Sequence, residues 1–452
     1  MAKEKKLYFC KNCGAEFSQW MGQCNYCHEW NTLVEFSVKK NASLSIRGNN
    51  ISFVKRSAPV TIADVPLSQE ERFSTKDPEI DRVLGGGIVP GSMILAAGDP
   101  GIGKSTLFLQ LALRLKGSRV LYASGEESER QIKLRAHRLR SENTSCFLLA
   151  ENHLEEIIKH AIELHPALLI VDSVQTLQSS YLDTSTGSIG QIRQCTFDLM
   201  RFSKENGISV ILIGHITKDG MIAGPKILEH IVDVVLQFGG DRHHAYRILR
   251  AKKNRFGTTS ELGIYEMGEA GLQEVRDPSK ILTTQMNFNS SGQAVAVALE
   301  GLRPMLVEVQ ALVSSAVYGT PQRSATGFDT KRLNMLLAIL EKRAGFKLGA
   351  KDVFLNITGG IRIEDTAMDL ALTIAILSSY EETAVSSKVC FAGEMGLGGE
   401  IRPVQRLEQR ISEAERLGFD AIFVSSYNKI PTHANIRVIS AAKIEEIFNQ
   451  LF

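Results

Sequence analysis

The sequence predicts an α/β protein with a cysteine-rich knot ahead of its core and an α+β domain behind it. Three observations carry this. Apolar, β-like runs alternate with helical patterns from about Asp64 to Asp277, the arrangement of βαβ units around a parallel sheet covered on both faces. One of those runs leads into Gly98-Asp99-Pro100-Gly101-Ile102-Gly103-Lys104-Ser105, a full match to GxxxxGK[ST]. Four of the seven cysteines fall in the first 27 residues as two CxxC pairs.

The 452 residues, at about 150 per domain, suggest about three domains. Hydrophobic residues at 44% and charged residues at 23% describe a chain with a real core and argue against disorder along its length. Fifty-two Lys and Arg against 50 Asp and Glu leave +2, which neither supports nor excludes nucleic acid, because binding follows local patches. The most apolar stretch, Thr366 to Tyr380, carries Asp369 and is too short to span a bilayer. The basic opening MAKEKKLYFCKNC has no apolar region behind it, so a cytoplasmic location without membrane contact is expected.

The first element, residues 1–36, is read as a C4 zinc finger. Cys10, Cys13, Cys24 and Cys27 form CxxC, ten residues, CxxC. Two tight turns of this kind present four thiolates to Zn²⁺, and the metal supplies folding energy that so short a segment lacks. His28 is a surface residue on this reading. Cys146, Cys195 and Cys390 sit in apolar or helical contexts and are expected to be packing residues. Residues 37–63 read as a basic linker, with Lys39, Lys40, Arg47, Lys55 and Arg56 and no acidic residue.

The ATPase core is assigned to 64–279. Its runs are MILAAG, a helix over Lys104 to Lys116, RVLYASG, a helix over Glu129 to Arg140, CFLLA, a helix over Leu154 to Leu164, ALLIVDS and SVILIGHI. The phosphate loop lies between the first strand and the first helix, the context that gives the motif its meaning. Its N–H groups and the helix N-terminus cradle phosphates, Lys104 reaches the β and γ oxygens of ATP, and Ser105, with Thr106 beside it, offers a hydroxyl to Mg²⁺. Leu168 to Asp172 is a buried strand ending in a carboxylate, so Asp172 is the second Mg²⁺ group. Hydrolysis also needs a group to activate water, and Glu126 is favoured over its neighbour Glu127.

The phosphate loop, GEES, LLIVDS, SVILIGHITKDGMIAGP and Lys252-Lys253-Asn254-Arg255-Phe256-Gly257, together with the CxxCG…WxGxCxxC knuckle, resemble the RadA (Sms) family of bacterial DNA repair proteins along nearly the whole chain. The resemblance implies a RecA-like P-loop core whose ATP site lies between subunits of a homo-oligomeric ring, a hexamer. Lys253 and Arg255 would then act in trans on a neighbour's γ-phosphate. It also makes His215 a sensor of nucleotide state. The Gly-rich stretch Thr217 to Lys226 would contact DNA through Lys218 and Lys226, with Arg193, in the loop Gly187 to Arg193, as a further contact. Single-stranded and branched DNA and a RecA-type recombinase are the implied partners.

Beyond about Ser279 the pattern changes to strands (QAVAVALEG, MLVEVQALVSS, VFLNITGG), helices over Arg332 to Glu341 and Thr366 to Tyr380, and a final strand-helix-strand unit. Residues 280–452 resemble the proteolytic domain of Lon-type proteases. Lon chemistry needs a serine and a lysine, whereas here Ala367 stands at the serine position and the lysine falls near Glu408, so no protease activity is expected. The resemblance suggests a ring with a basic DNA-facing surface, its candidates Arg323, Arg332, Lys342, Arg343, Lys347, Lys351 and Arg362. The reading overall is a DNA-dependent ATPase and branch-migration helicase of recombination and repair. Two alternatives stand beside it: a nucleotide-switched, recombinase-binding scaffold and an ATP-dependent Lon-type protease.

Overall fold

The computed structural model describes residues 5–10, 16–17, 19–25, 29–38, 61, 71–215, 227–239, 246–277, 279, 290–316, 320–358, 363–431 and 433–452. The chain divides into two compact units: Met1–Gly239 with Leu249–Thr259 and Met267–Gln273, and Gly240–Ile248 with Ser260–Glu266 and Glu274–Phe452. Of the linker expected at 37–63, only 37, 38 and 61 are among the described residues.

The cysteine-rich segment forms an antiparallel sheet of order β2-β1-β3, from β1 (Lys5–Cys10), β2 (Glu16–Phe17) and β3 (Leu33–Val38). Its described core is Cys10, Cys24 and Leu33, with Tyr8, Phe17 and Met21 against them. A metal held beside so small a described core would add to what fixes the segment.

Helix α1 (Pro78–Leu84) opens with proline at its first position. The Asp77 side chain caps the N–H groups of Glu79 and Ile80, and Gly85 closes the helix in the left-handed conformation. The main sheet contains β4 (Met93–Gly98), β5 (Val120–Ser124), β6 (Cys146–Ala150), β7 (Leu168–Asp172), β8 (Ser209–His215), β9 (Val234–Gly239), β10 (Tyr246–Asn254), β11 (Leu262–Gly268) and β12 (Gly271–Glu274). Its order is β12-β11-β10-β9-β4-β8-β7-β5-β6, and β9, β4, β8, β7, β5 and β6 pair in parallel. Strands β4, β5 and β7 are buried at every residue, as a parallel sheet covered on both faces requires.

The connections are α2 (Lys104–Arg114), α3 (Glu129–Arg138), α4 (Leu154–Leu164), α5 (Ile189–Asn206) and the short α6 (Ile227–Ile231). Helices α2 and α3 end two residues before the sequence pattern does, because Gly117 and Arg140 take left-handed angles and turn the chain. A larger correction concerns Arg193, read above as a loop residue. Ser188 caps the N–H of Gln191 and starts α5 at Ile189, so Arg193 stands on the helix. The sheet register then decides what meets what: Ser124 lies opposite Asp172, and Gly98 opposite His215.

The second unit has a seven-stranded sheet of order β15-β16-β14-β13-β17-β20-β21. Its strands are β13 (Gln293–Glu300), β14 (Arg303–Ser315), β15 (Arg323–Thr326), β16 (Lys351–Ile357), β17 (Val389–Ala392), β20 (Ala421–Ser425) and β21 (Arg437–Ala441). The hairpin β18 (Glu394–Met395) and β19 (Ile401–Arg402) stands apart. Helices α7 (Thr330–Arg343), α8 (Asp369–Tyr380), α9 (Leu407–Arg416) and α10 (Ile444–Leu451) accompany it. The helix expected at Thr366 begins as a 3-10 turn, because Asp365 caps Ala367 N, and continues as α8. Asp369 through Ser379 are all buried, the signature of a helix enclosed by a core.

Among the described residues, two ion pairs of this unit have a partner buried in its core. Arg332 on α7 grips Asp369 through Nε and Nη2, at 2.7 and 2.5 Å, and Met395 N donates to the same carboxylate. Arg410 on α9 is 2% exposed, and its Nη1 donates to Val297 O and to Asp365 Oδ2 at 2.6 Å. Arg332 is thus committed to a fully buried partner, which removes it from the candidate DNA-facing cations. Arg332→Met strands the Asp369 carboxylate and is expected to cost about 3–5 kcal/mol, measured by urea unfolding; a solvated surface arginine would leave the midpoint unchanged.

Candidate functional site

The chemistry gathers at the carboxyl ends of β4, β5, β7 and β8. Where β4 meets α2, a Cβ on Gly98 would lie 2.7 Å from Phe238 Cβ and 3.0 Å from Phe238 O, and Gly103 holds a φ of +112° with Met267 Cε 2.8 Å from where its Cβ would be. Only glycine suits both places. Gly103 starts α2 with no side-chain cap, which leaves the first N–H groups of the helix to an anion. Asp99, Pro100 and Gly101 are exposed, Ile102 is buried beneath them, and Ser105 and Thr106 are half-buried on the first turn. A cradle of this shape fits the phosphate chain of a nucleotide.

Lys104 is 3% exposed, and its Nζ donates to Gly98 O at 2.7 Å and Asp99 O at 2.9 Å and stands 3.2 Å from His215 Nδ1. Burial lowers its amine to about 8, against the pull of Asp172, Asp99 and Glu126. Asp172, at the end of β7, is 5% exposed. Tyr122 OH donates to its Oδ2 at 2.7 Å, and burial together with that carboxylate pushes the phenol well above its ordinary range. A carboxylate steered in this way, with the Ser105 hydroxyl on the neighbouring helix, suits a hard cation such as Mg²⁺.

The two glutamates after β5 diverge. Both backbone N–H groups lean on Ser124 Oγ. Ser173 Oγ donates to Glu126 Oε1 at 2.5 Å, and His215 Nε2 lies 3.7 Å from the same oxygen. Glu127 is instead paired with Arg135 on α3. Lys104, Asp172, Glu126 and His215 are therefore brought together. The sequence reading did not include Tyr122 or Ser173, and no pattern along the chain announces them, because their roles follow from the pairing of β5 with β7.

Lys253 and Arg255 lie elsewhere. Lys253 Nζ donates to Glu229 O at 2.6 Å and Val232 O at 2.7 Å, and Arg255 N donates to Asp233 O. Asp233 in turn adjoins Met93, the first residue of β4, whereas the phosphate loop follows its last. Met93 and Gly98 are the two ends of the six-residue strand, five steps or ~16 Å apart at about 3.3 Å each. Desolvation, then Arg255, lowers the Lys253 amine.

Of the four cysteines expected to hold zinc, Cys10 and Cys24 are buried together, with Cys10 Sγ 3.2 Å from Thr32 Oγ1; Cys13 and Cys27 lie outside the described residues. Two soft sulfur donors, one from each CxxC pair, fit one end of a Zn²⁺ shell. Lys218, Lys226, His28 and Arg362 also lie outside the described residues. Cys195 and Cys390 are buried and Cys146 half-buried; desolvation raises the Cys146 thiol to about 11 and the Cys195 thiol to about 12, the behaviour of unreactive packing residues. In the second unit Ala367 is fully buried. Among the described residues, the basic groups bonded beside its turn are Arg410, held by Asp365, and Arg332, held by Asp369, whereas Glu408 is exposed. Among the described residues no helix is long and apolar enough to cross a membrane.

Residues 59–221 match a family model described as an AAA domain, 8–35 a rubredoxin metal binding domain, and 309–428 the ChlI subunit of Mg-chelatase. The DNA repair protein RadA of Bacillus subtilis is 46% identical over 95% of this chain and 94% of its own length. Those of Listeria monocytogenes and Streptococcus pyogenes are 45% identical over 99% of this chain and 98% of theirs, and 44% identical over 100% of both. A KaiC-like protein, PH0186 of Pyrococcus horikoshii, is 19% identical over 45% of this chain and 99% of its own, with a TM-score of 0.39. With nearly half its residues shared along almost its whole length, the chain belongs to the RadA family of bacterial DNA repair proteins.

Proposed function

We propose that this RadA-family ATP hydrolase drives branch migration in recombination and repair, translocating on single-stranded DNA as a homo-oligomeric ring, a hexamer, that works beside a RecA-type recombinase. The domain plan is a zinc finger over 1–36, a linker over 37–63, the ATPase over 64–279 and a Lon-like, non-proteolytic domain over 280–452. One observation carries the ring: Lys253 and Arg255 are anchored at the amino edge of the sheet, and the phosphate loop of the same chain is at the carboxyl edge. A cation so placed serves a neighbour's nucleotide and not its own.

In this reading the residues from Gly98 to Thr106 hold the phosphates, and Lys104 leaves the loop carbonyls for the β and γ oxygens of ATP. Ser105 and Asp172 are the groups that would hold Mg²⁺, which when bound neutralises charge on those oxygens. Glu126, oriented by Ser173, takes the proton of the attacking water; Glu127 is occupied by Arg135. Arg255 and Lys253 of the adjacent subunit stabilise charge on the transferred phosphoryl group. DNA is gripped through its phosphates by Lys218, Lys226 and Arg193, and that grip weakens with salt. Ala367 supplies no hydroxyl and Arg410 is held by Asp365 and Val297, so peptide hydrolysis does not belong to the reading.

The test is ATP turnover with and without single-stranded DNA at two salt concentrations. DNA stimulation that fades with salt is expected, and a rate indifferent to DNA favours the scaffold. Lys104→Ala abolishes turnover. Arg255→Ala lowers kcat by about 10³-fold with the fold intact, and mixing it with Glu126→Gln subunits restores part of the rate; no recovery at any ratio would place the finger in cis. Because bound phosphates keep Lys104 protonated while its free amine sits at about 8, ATP affinity falls by up to about tenfold per pH unit above that value. Titration of ATP binding between pH 7 and 9.5 checks this, with Lys104→Arg flat over the range.

A further inference from the structure

We propose that Lys204, on α5, is a positioning residue that leaves Arg255 free to act. The inference rests on the reading of Arg255 as a finger for a neighbouring nucleotide. Asp233 is the anchor of the Lys252–Gly257 turn, and its side chain is 3% exposed. One carboxylate oxygen, Oδ2, accepts from Met93 N at 3.0 Å and from Lys204 Nζ at 2.8 Å. The other, Oδ1, has Arg255 Nη1 at 3.4 Å, at the outer limit of a hydrogen bond.

The three contacts are unequal in a way that matters. Two short bonds from a backbone amide and an ammonium already satisfy Oδ2, so the buried charge is neutralised without the arginine. Arg255 is 56% exposed, and only its backbone is firmly tied, through Arg255 N to Asp233 O. The guanidinium can therefore leave for a phosphate while the turn stays in place. Lys204 also lies 5.8 Å from the centre of the Phe256 ring, a cation–π distance, so the same ammonium steadies the residue beside the finger. Remove that ammonium and Arg255 is, among the described residues, the side-chain cation left within hydrogen-bond reach of the carboxylate, since the nearby Lys253 amine is held on the carbonyls of Glu229 and Val232; a buried carboxylate left with one such partner holds it. The finger is then trapped on its own subunit.

The experiment is steady-state ATP hydrolysis by the full-length, assembled protein. Lys204→Met is expected to lower kcat about tenfold, the scale of coupling between neighbouring charges, with KM for ATP unchanged. Lys204→Gln, which keeps a donor but not the charge, falls partway, and Lys204→Arg retains the rate. The deciding variant is Lys204→Met combined with Asp233→Asn, which removes the carboxylate that traps the finger and recovers most of the lost rate. A double variant no faster than Lys204→Met, or Lys204→Gln at the wild-type rate, overturns the proposal and leaves Lys204 a structural tie between α5 and β4. Arg255→Ala at the wild-type rate overturns the finger reading instead.

Discussion

Six strands that pair in parallel impose a direction on everything else in the first unit. Each must return over a face of the sheet before the next begins, so all their carboxyl ends, and the turns that follow, collect along one edge. Groups from distant parts of the chain converge there because strand order, not sequence distance, sets who is adjacent. Asp172 meets Tyr122 across the β5–β7 pair, and His215 faces the phosphate loop across β4–β8. The opposite edge carries the basic turn, which Asp233 fastens to the start of β4.

How much of this could be read along the chain depends on whether a feature is local. The phosphate loop is wholly local, since glycines, lysine and hydroxyl sit within eight consecutive residues, and its strand and helix lie where the pattern puts them. The choice between Glu126 and Glu127 is not. Both follow the same strand, and they part only because Ser173 and Arg135, respectively 47 and 8 residues away, claim one each. Arg193 misled for a related reason: a Gly-Ser pair signals a turn, but Ser188 is the helix cap, and what looks like the end of a loop is already helix. Asp233 and Lys204 carry no motif at all.

The second unit follows another rule. Its sheet and α8 are buried by composition, but Asp369 and Arg410 are charged residues inside that core, each satisfied by a partner distant in sequence. Neither pair could be inferred from spacing, and a reading that treats arginines as surface charges takes Arg332 for a DNA contact. Burying such pairs is seldom a net gain over apolar packing, yet breaking one is expensive, so they act as registration pins between helices and strands.

Lys104 also has a part in holding the loop itself. Its ammonium donates to the carbonyls of Gly98 and Asp99, so the start of the turn is tied to the helix that closes it. One side chain thereby helps to set the course of the backbone around it, and a shorter residue at that position would slacken the turn as well as remove a cation.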